Sequence, residues 1–309
     1  MVVQSTPAAL FMNHRANRLG LLFAVLGAVG FSFKAILIKL AYPYGVDAVT
    51  LLALRMGMAL PFFIALGWLD SRRRQPLPLT GRDVGLMLAL GFSGYYLASY
   101  LDFLGLHYIS AGLERLILFA YPTLVVVFSA IFLGKPITRR ALGCIVLCYA
   151  GIALALAHDL HVAGTARDVW IGGSLVFGSA VSYALYLMGN GQAVARLGAA
   201  RVTAWASTAA CLLCLIQFFA TRPPAMLVQP VPVLLLAGAM AIFSTVLPVW
   251  LVSEAMRRLG AGPVSLIGTL GPVVTLFLGW MILAEPMGLF QLMGGALVVA
   301  GVVLVGKRG

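Results

Sequence analysis

Five charged residues stand inside otherwise apolar runs of this chain: Lys34, Arg55, Asp102, Glu114 and Arg115. A charge held in hydrocarbon is costly unless it is paired or wetted, so these side chains are the first candidates for chemistry. Two acids against three bases can form an ion-pair network that closes one side of the molecule. The alternatives are that Asp102 or Glu114 takes up and releases a proton, or that Arg55 receives a carboxylate. Glu254 sits near the end of another run beside Arg257 and Arg258. A helical i,i+3 or i,i+4 pair accounts for it, with a gate or an amine contact as the sharper reading.

A second set is polar without charge. One apolar run reads Gly91-Phe92-Ser93-Gly94-Tyr95-Tyr96, followed by Ser99 and Tyr100; another reads Phe243-Ser244-Thr245, followed by Pro248 and Trp250. Small residues let backbones approach one another or a ligand, and isolated hydroxyls and rings give an apolar wall a few polar contacts. Buried phenols need partners or water. Ser93, Tyr95, Tyr96, Ser99, Tyr100, Ser244, Thr245, Trp250 and Tyr183 are therefore the expected substrate-binding residues, with Tyr186 behind Tyr183; helix packing is the plainer role for each Ser and Gly. Pro122, Pro272 and Pro248 are expected hinges. A proline inside a helix removes a backbone donor and frees carbonyls, although a kink that only shapes packing would look the same in sequence.

Other constellations carry less. His158-x-x-His161 has no further ligand nearby, and a solvated loop explains it better than a metal site. Cys144, Cys148, Cys211 and Cys214 lie in apolar runs and read as small packing residues, although Cys211-x-x-Cys214 has the spacing of a redox pair. No phosphate-binding loop is present in the sequence, which argues against direct ATP drive. No metal, cofactor or catalytic set is expected. A lipid-modifying enzyme would need acids, histidines or a metal set gathered at one interface, whereas His14, His107, His158 and His161 are scattered. A channel would need a continuous polar stripe.

These residues need elements to position them. With 62% hydrophobic and 10% charged residues, the chain is far from the roughly 25% charged residues of a soluble domain. It is a membrane protein, and its net charge of +12 does not indicate nucleic acid, because the basic residues cluster in short connections between apolar runs. About 20 apolar residues cross a bilayer as a helix. Ten such runs are expected at 19–41, 48–69, 83–107, 110–133, 138–157, 169–190, 201–220, 232–256, 262–283 and 286–306. Of 21 Lys and Arg, 15 fall on one side of this arrangement. The bias places both termini in the cytoplasm. Residues 1–18 and 307–309 are then cytoplasmic tails, 158–168 an outer linker, and Trp170 and Trp205 interface anchors.

The chain is also written twice. A shift of 150 residues lays Gly105–Leu154 over Ala255–Leu304 without a gap, matching Ala111-Gly112 to Ala261-Gly262, Leu116-Ile117 to Leu266-Ile267, Pro122 to Pro272 and Pro136 to Pro286. Repeats of this length in an apolar chain suggest the two halves of a transporter, with a site near the midplane where they meet. Five spans per repeat is an odd number, so the second copy enters from the opposite side. Charge follows that inversion: Lys135 aligns with Glu285, and His107-Tyr108 with Arg257-Arg258.

Ser110-Ala111-Gly112 with Tyr121-Pro122 and Leu133-Gly134-Lys135-Pro136, then Gly260-Ala261-Gly262 with Gly271-Pro272 and Leu283-Ala284-Glu285-Pro286, resemble the drug/metabolite transporter superfamily, and its ten-helix EamA-type exporters in particular. Arg55-Met56-Gly57 is similar to the same pattern. The resemblance covers residues 19–157 and 169–306 as two five-helix repeats. It implies helices around a central cavity, alternating access and export of small metabolites, with aromatic or neutral amino acids as the leading substrates. Multidrug or other metabolite export is the alternative. The expected fold is all-α integral membrane, with ten transmembrane helices as two inverted five-helix repeats. The expected setting is a bacterial inner (plasma) membrane, with a small-molecule substrate and the lipid bilayer as partners, no nucleic acid, and the oligomeric state open.

Overall fold

The computed structural model describes residues 7–73, 79–134, 136–162 and 165–306. Every regular element among them is helical. In chain order the helices are α1 (Pro7–Ala41), α2 (Ala48–Arg73), α3 (Gly81–Gly105), α4 (Ala111–Leu118 and Tyr121–Leu133), α5 (Arg139–Val162), α6 (Ala166–Leu197), α7 (Ala199–Thr221), α8 (Val231–Leu259), α9 (Ala261–Gly268 and Leu270–Leu283) and α10 (Leu289–Gly306). Among the described residues nine are long and apolar enough to cross a membrane, and α10 carries a shorter apolar stretch, Leu289–Leu304. Side chains such as Leu235, Ile131 and Phe132 stand exposed. That is tolerable because the surrounding solvent is lipid, which also obliges the backbone to satisfy its own hydrogen bonds within helices.

The repeat is legible in the backbone. α3 loosens into a π turn at Gly91–Leu97 and α8 into one at Ile242–Val246. α4 breaks at Phe119 and Ala120, and α9 breaks at Thr269, directly before the turns that carry Pro122 and Pro272. The second segments of α4 and α9 end in left-handed residues, Gly134 and Ala284. Each pair is separated by about the same 150 positions as the sequence match.

Packing follows the same rule. α2 lies along α7 and α5 along α10, while α1 packs on α8 and α9 and α6 packs on α3 and α4. In the α2–α7 and α5–α10 pairs the two helices run antiparallel. Cys148 approaches Gly301, Gly151 meets Gly294, and His158 reaches Gly288 along α5 and α10; along α2 and α7, Met56 meets Cys211 and Gly67 meets Ala204. Gly151 and Gly294 let α5 and α10 cross closely, since a Cβ on either would fall 2.5 Å from the other's carbonyl oxygen.

Several expectations change. α1 begins at Pro7, so the stretch expected as a tail is largely helical. α5 runs on to Val162, so His158 and Asp159 are buried helix residues and not part of a solvated loop. The extra turn is held because it packs against the α9–α10 connection, where His158 Nε2 lies 3.0 Å from the Pro286 carbonyl oxygen. Lys135, the expected counterpart of Glu285, and tail residues 1–6 and 307–309 lie outside the described residues.

Candidate functional site

The buried charges of α1 to α4 gather, but unevenly. Lys34 Nζ lies 2.5 Å from Asp102 Oδ2 and 3.6 Å from Glu114 Oε1. Asp102 is 1% exposed and Glu114 0%, so the ammonium they share as ion-pair partner acts on both in a medium that screens little. Arg55, also buried, donates through Nε to Thr245 Oγ1 at 2.9 Å and lies over the Phe103 ring at 5.4 Å. Arg115 lies over Phe119 at 5.3 Å. Neither guanidinium forms an ion pair with a carboxylate among the described residues, and Arg55 Nη1 and Arg115 Nε are buried without a hydrogen-bond partner.

Beside Arg115 the rings of three helices meet. Phe119 and Tyr121 of α4 are 5.8 Å apart edge to face, Tyr121 meets Tyr183 of α6 at 5.1 Å, and Tyr183 stacks on Tyr186 at 5.5 Å. Tyr186 and Tyr95 of α3 bring their hydroxyls to 3.0 Å. The α4 break at Phe119 and Ala120 directly precedes Tyr121-Pro122.

The other expected wall residues divide. Tyr96 and Tyr100 stack in parallel at 6.3 Å on α3, with half-buried Ser99 on the same helix. Ser93 donates to Ala89 O at 2.8 Å, and its own carbonyl accepts from Ser182 Oγ at 2.7 Å. Ser244 and Thr245 each donate to Met240 O at 2.9 Å, so the α8 π turn uses these hydroxyls to satisfy a loosened backbone. Pro248 follows that turn and packs on Gly30 of α1. Trp250 does not join the tyrosines: it is 54% exposed and leans on Phe23, because α8 lies along α1 and this face points away. Glu254 pairs with Arg257 at 2.6 Å and Arg258 at 2.7 Å, as the helical spacing anticipates.

At the start of α4 a second polar group is assembled. Ser110 Oγ accepts from the Leu113 N–H at 3.0 Å, Asp159 Oδ2 from the Ser110 N–H at 3.2 Å, and Glu285 from the Ala111 and Gly112 N–H groups at 2.8 and 3.4 Å. Four orphan donors of a helix N-terminus thus find oxygen partners. Two apolar grooves of about 230 and 250 Å³ lie on α2, α3 and α7, share Trp205 and Thr208, and contain none of the expected wall residues.

The match to known families settles what kind of molecule this is: the model of the EamA-like transporter family covers residues 18–157 and again 170–307. The chain belongs to the EamA-like transporter family. This EamA-like protein is 31% identical over 285 residues to an uncharacterized transporter of Bacillus subtilis, YcbK, covering 89% of this chain and 88% of that one. It is 28% identical over 271 residues to a probable terminal-alkyne amino-acid exporter of Streptantibioticus cattleyicolor, covering 86% and 85%. A crystal structure 20% identical to it superposes with a TM-score of 0.62, covering 92% of this chain and 95% of that one. It is a multi-pass membrane transporter with a duplicated EamA domain.

Sequence reasoning missed three participants in this EamA-like transporter. Phe119 and Tyr121 were hidden in an apolar run, although an aromatic residue directly before the matched Pro122 was a usable signal. Glu285 served only as a marker of charge inversion; an acid between two apolar runs, beside a proline, was the clue to its capping position.

Proposed function

We propose that this EamA-like transporter is a secondary exporter of small metabolites, with aromatic or neutral amino acids as its cargo, working by alternating access between two inverted five-helix halves. The carrying observation is the antiparallel pairing of repeat-equivalent helices, α2 with α7 and α5 with α10, around a buried set of charges and rings. Two halves of opposite direction can rock in complementary ways about a site at mid-depth. The alkyne amino-acid exporter among its relatives supports an amino-acid cargo. Around Lys34 three cations, Lys34, Arg55 and Arg115, stand against two acids, Asp102 and Glu114, which speaks against hydrophobic cations, the cargo of a multidrug exporter. The basic inner connections support a bacterial inner-membrane setting with both termini cytoplasmic.

Purified protein in liposomes should show saturable flux of phenylalanine or leucine that unlabelled neutral amino acids compete away and hydrophobic cations do not. Flat time courses across a broad amino-acid panel would remove the substrate assignment, and cation competition would replace it with multidrug export.

A further inference from the structure

In the cluster formed by Lys34, Arg55, Asp102, Glu114 and Arg115, three cations stand against two acids. Lys34 engages both buried acids, Asp102 and Glu114, and leaves Arg55 and Arg115 without a carboxylate among the described residues. Two unpaired guanidiniums in a low-dielectric interior are expensive unless an anion joins them. The two differ in how they are held. Arg55 is engaged by Thr245 of the α8 π turn. Arg115 lies over the Phe119 face, keeps an Nε that is buried without a hydrogen-bond partner and is 9% exposed. It also presses on the α9 break, where a Cβ at Gly271 would come within 2.8 Å of Arg115 Nη2. Beyond Phe119 the rings continue with Tyr121 at 5.8 Å and then Tyr183 at 5.1 Å from Tyr121.

We infer that Arg115 anchors the carboxylate of the solute, and that Phe119, Tyr121 and Tyr183 receive an apolar or aromatic side chain beside it. A planar guanidinium presents parallel N–H donors that match a carboxylate, and the edge-to-face rings next to it give a flat side chain a surface without polar demands. The ligand class is a small monocarboxylate with a hydrophobic substituent. Its carboxylate gives Arg115 the ion-pair partner that it lacks among the described residues. Arg115 comes from the first copy and Gly271 from the second, so the anchor lies where the halves touch and senses their relative position.

This inference rests on the amino-acid reading above but is tested without flux. Thermal unfolding of the full-length protein in detergent is followed with L-phenylalanine and with phenethylamine, which lacks the carboxylate. Wild type should be stabilised by phenylalanine and not by phenethylamine, since a ligand bound only to the folded state raises stability with concentration. R115Q should bind phenylalanine about 10- to 100-fold more weakly, the usual range for a lost charge-assisted contact, and R115K should fall between. Equal stabilisation by the two compounds in wild type overturns the anchor even if R115Q fails to fold. So does wild-type affinity in a folded R115Q, or no phenylalanine response in wild type. Phenylalanine binding without flux in liposomes would instead overturn the transport reading and leave the anchor in place.

Discussion

The starts of α4 and α9 descend from one sequence, Ser110-Ala111-Gly112 and Gly260-Ala261-Gly262, and have become opposites. The α4 start is capped by its own serine and by acids from α5 and from the α9–α10 connection. The α9 start has no side-chain cap, and Gly260 enters it at φ 82° and ψ 166°. Glu114 and Arg115 of the first copy align with Val264 and Ser265 of the second, and Asp102 aligns with Val252. The first half carries the cluster of buried charges, whereas the second has uncharged residues at those matched positions and lends Glu285 to the clamp. The pair teaches that a repeat can keep its backbone devices, the π turns and helix breaks, while the cluster of buried charges around Lys34 is confined to one copy. A symmetric frame suits motion between two equivalent states, and an asymmetric interior lets only one set of side chains hold cargo.

The largest expected effect tests whether that charge asymmetry is structural. Lys34→Met leaves Asp102 and Glu114 facing each other without their ammonium, and breaking a buried pair costs about 3–5 kcal/mol. Denaturant unfolding in detergent should show that loss; a change no larger than that of a surface ion pair would mean the acids find another counter-charge.

Next in size are the two helix starts. Gly260 occupies a conformation open essentially to glycine, so Gly260→Ala should cost about 1–3 kcal/mol, whereas Ser110→Ala loses a cap worth about 1 kcal/mol. Thermal melts of the two variants in parallel should rank them in that order. The reverse order would mean that the α4 clamp, and not backbone conformation, dominates.

The smallest effect is a change of slope. Burial raises the Glu285 carboxyl above its ordinary range, against the opposing pull of the Ala111 N–H and of Lys39. The folded protein therefore holds this proton more tightly than the unfolded chain. The resulting stabilisation is full below the unfolded value of about 4.3 and is lost as pH rises through the higher folded value. Glu285→Gln should remove that decline, so its melting temperature should gain on wild type as pH rises from about 4 to 7. Parallel profiles would show that Glu285 titrates as an exposed acid and that the clamp is loose.

The frame was legible before any coordinates because its signals are local or repetitive. Apolar runs mark helices, Pro122 and Pro272 mark breaks at matched positions, and the glycine- and proline-bearing repeat marks duplication. The Glu254 pairs with Arg257 and Arg258 were readable too, since three or four residues along a helix are neighbours. Misreadings came where a helix continued against a distant partner: nothing near His158 in sequence announces that Pro286 will receive it. Trp250 was misplaced for the same reason, since its surroundings depend on α8 lying along α1.

The sequence by itself determined the membrane setting, the helices, the duplication and the five charges within apolar runs, since composition, period and alignment are properties of the chain alone. Only the tertiary structure decided how those charges are shared out: that Lys34 takes both acids, that Thr245 holds Arg55, and that Arg115 is left among rings. Such partnerships join residues as far apart as 55 and 245. They exist because helix packing brings side chains within a few ångströms, where a low dielectric makes small differences in distance decide which charge is satisfied.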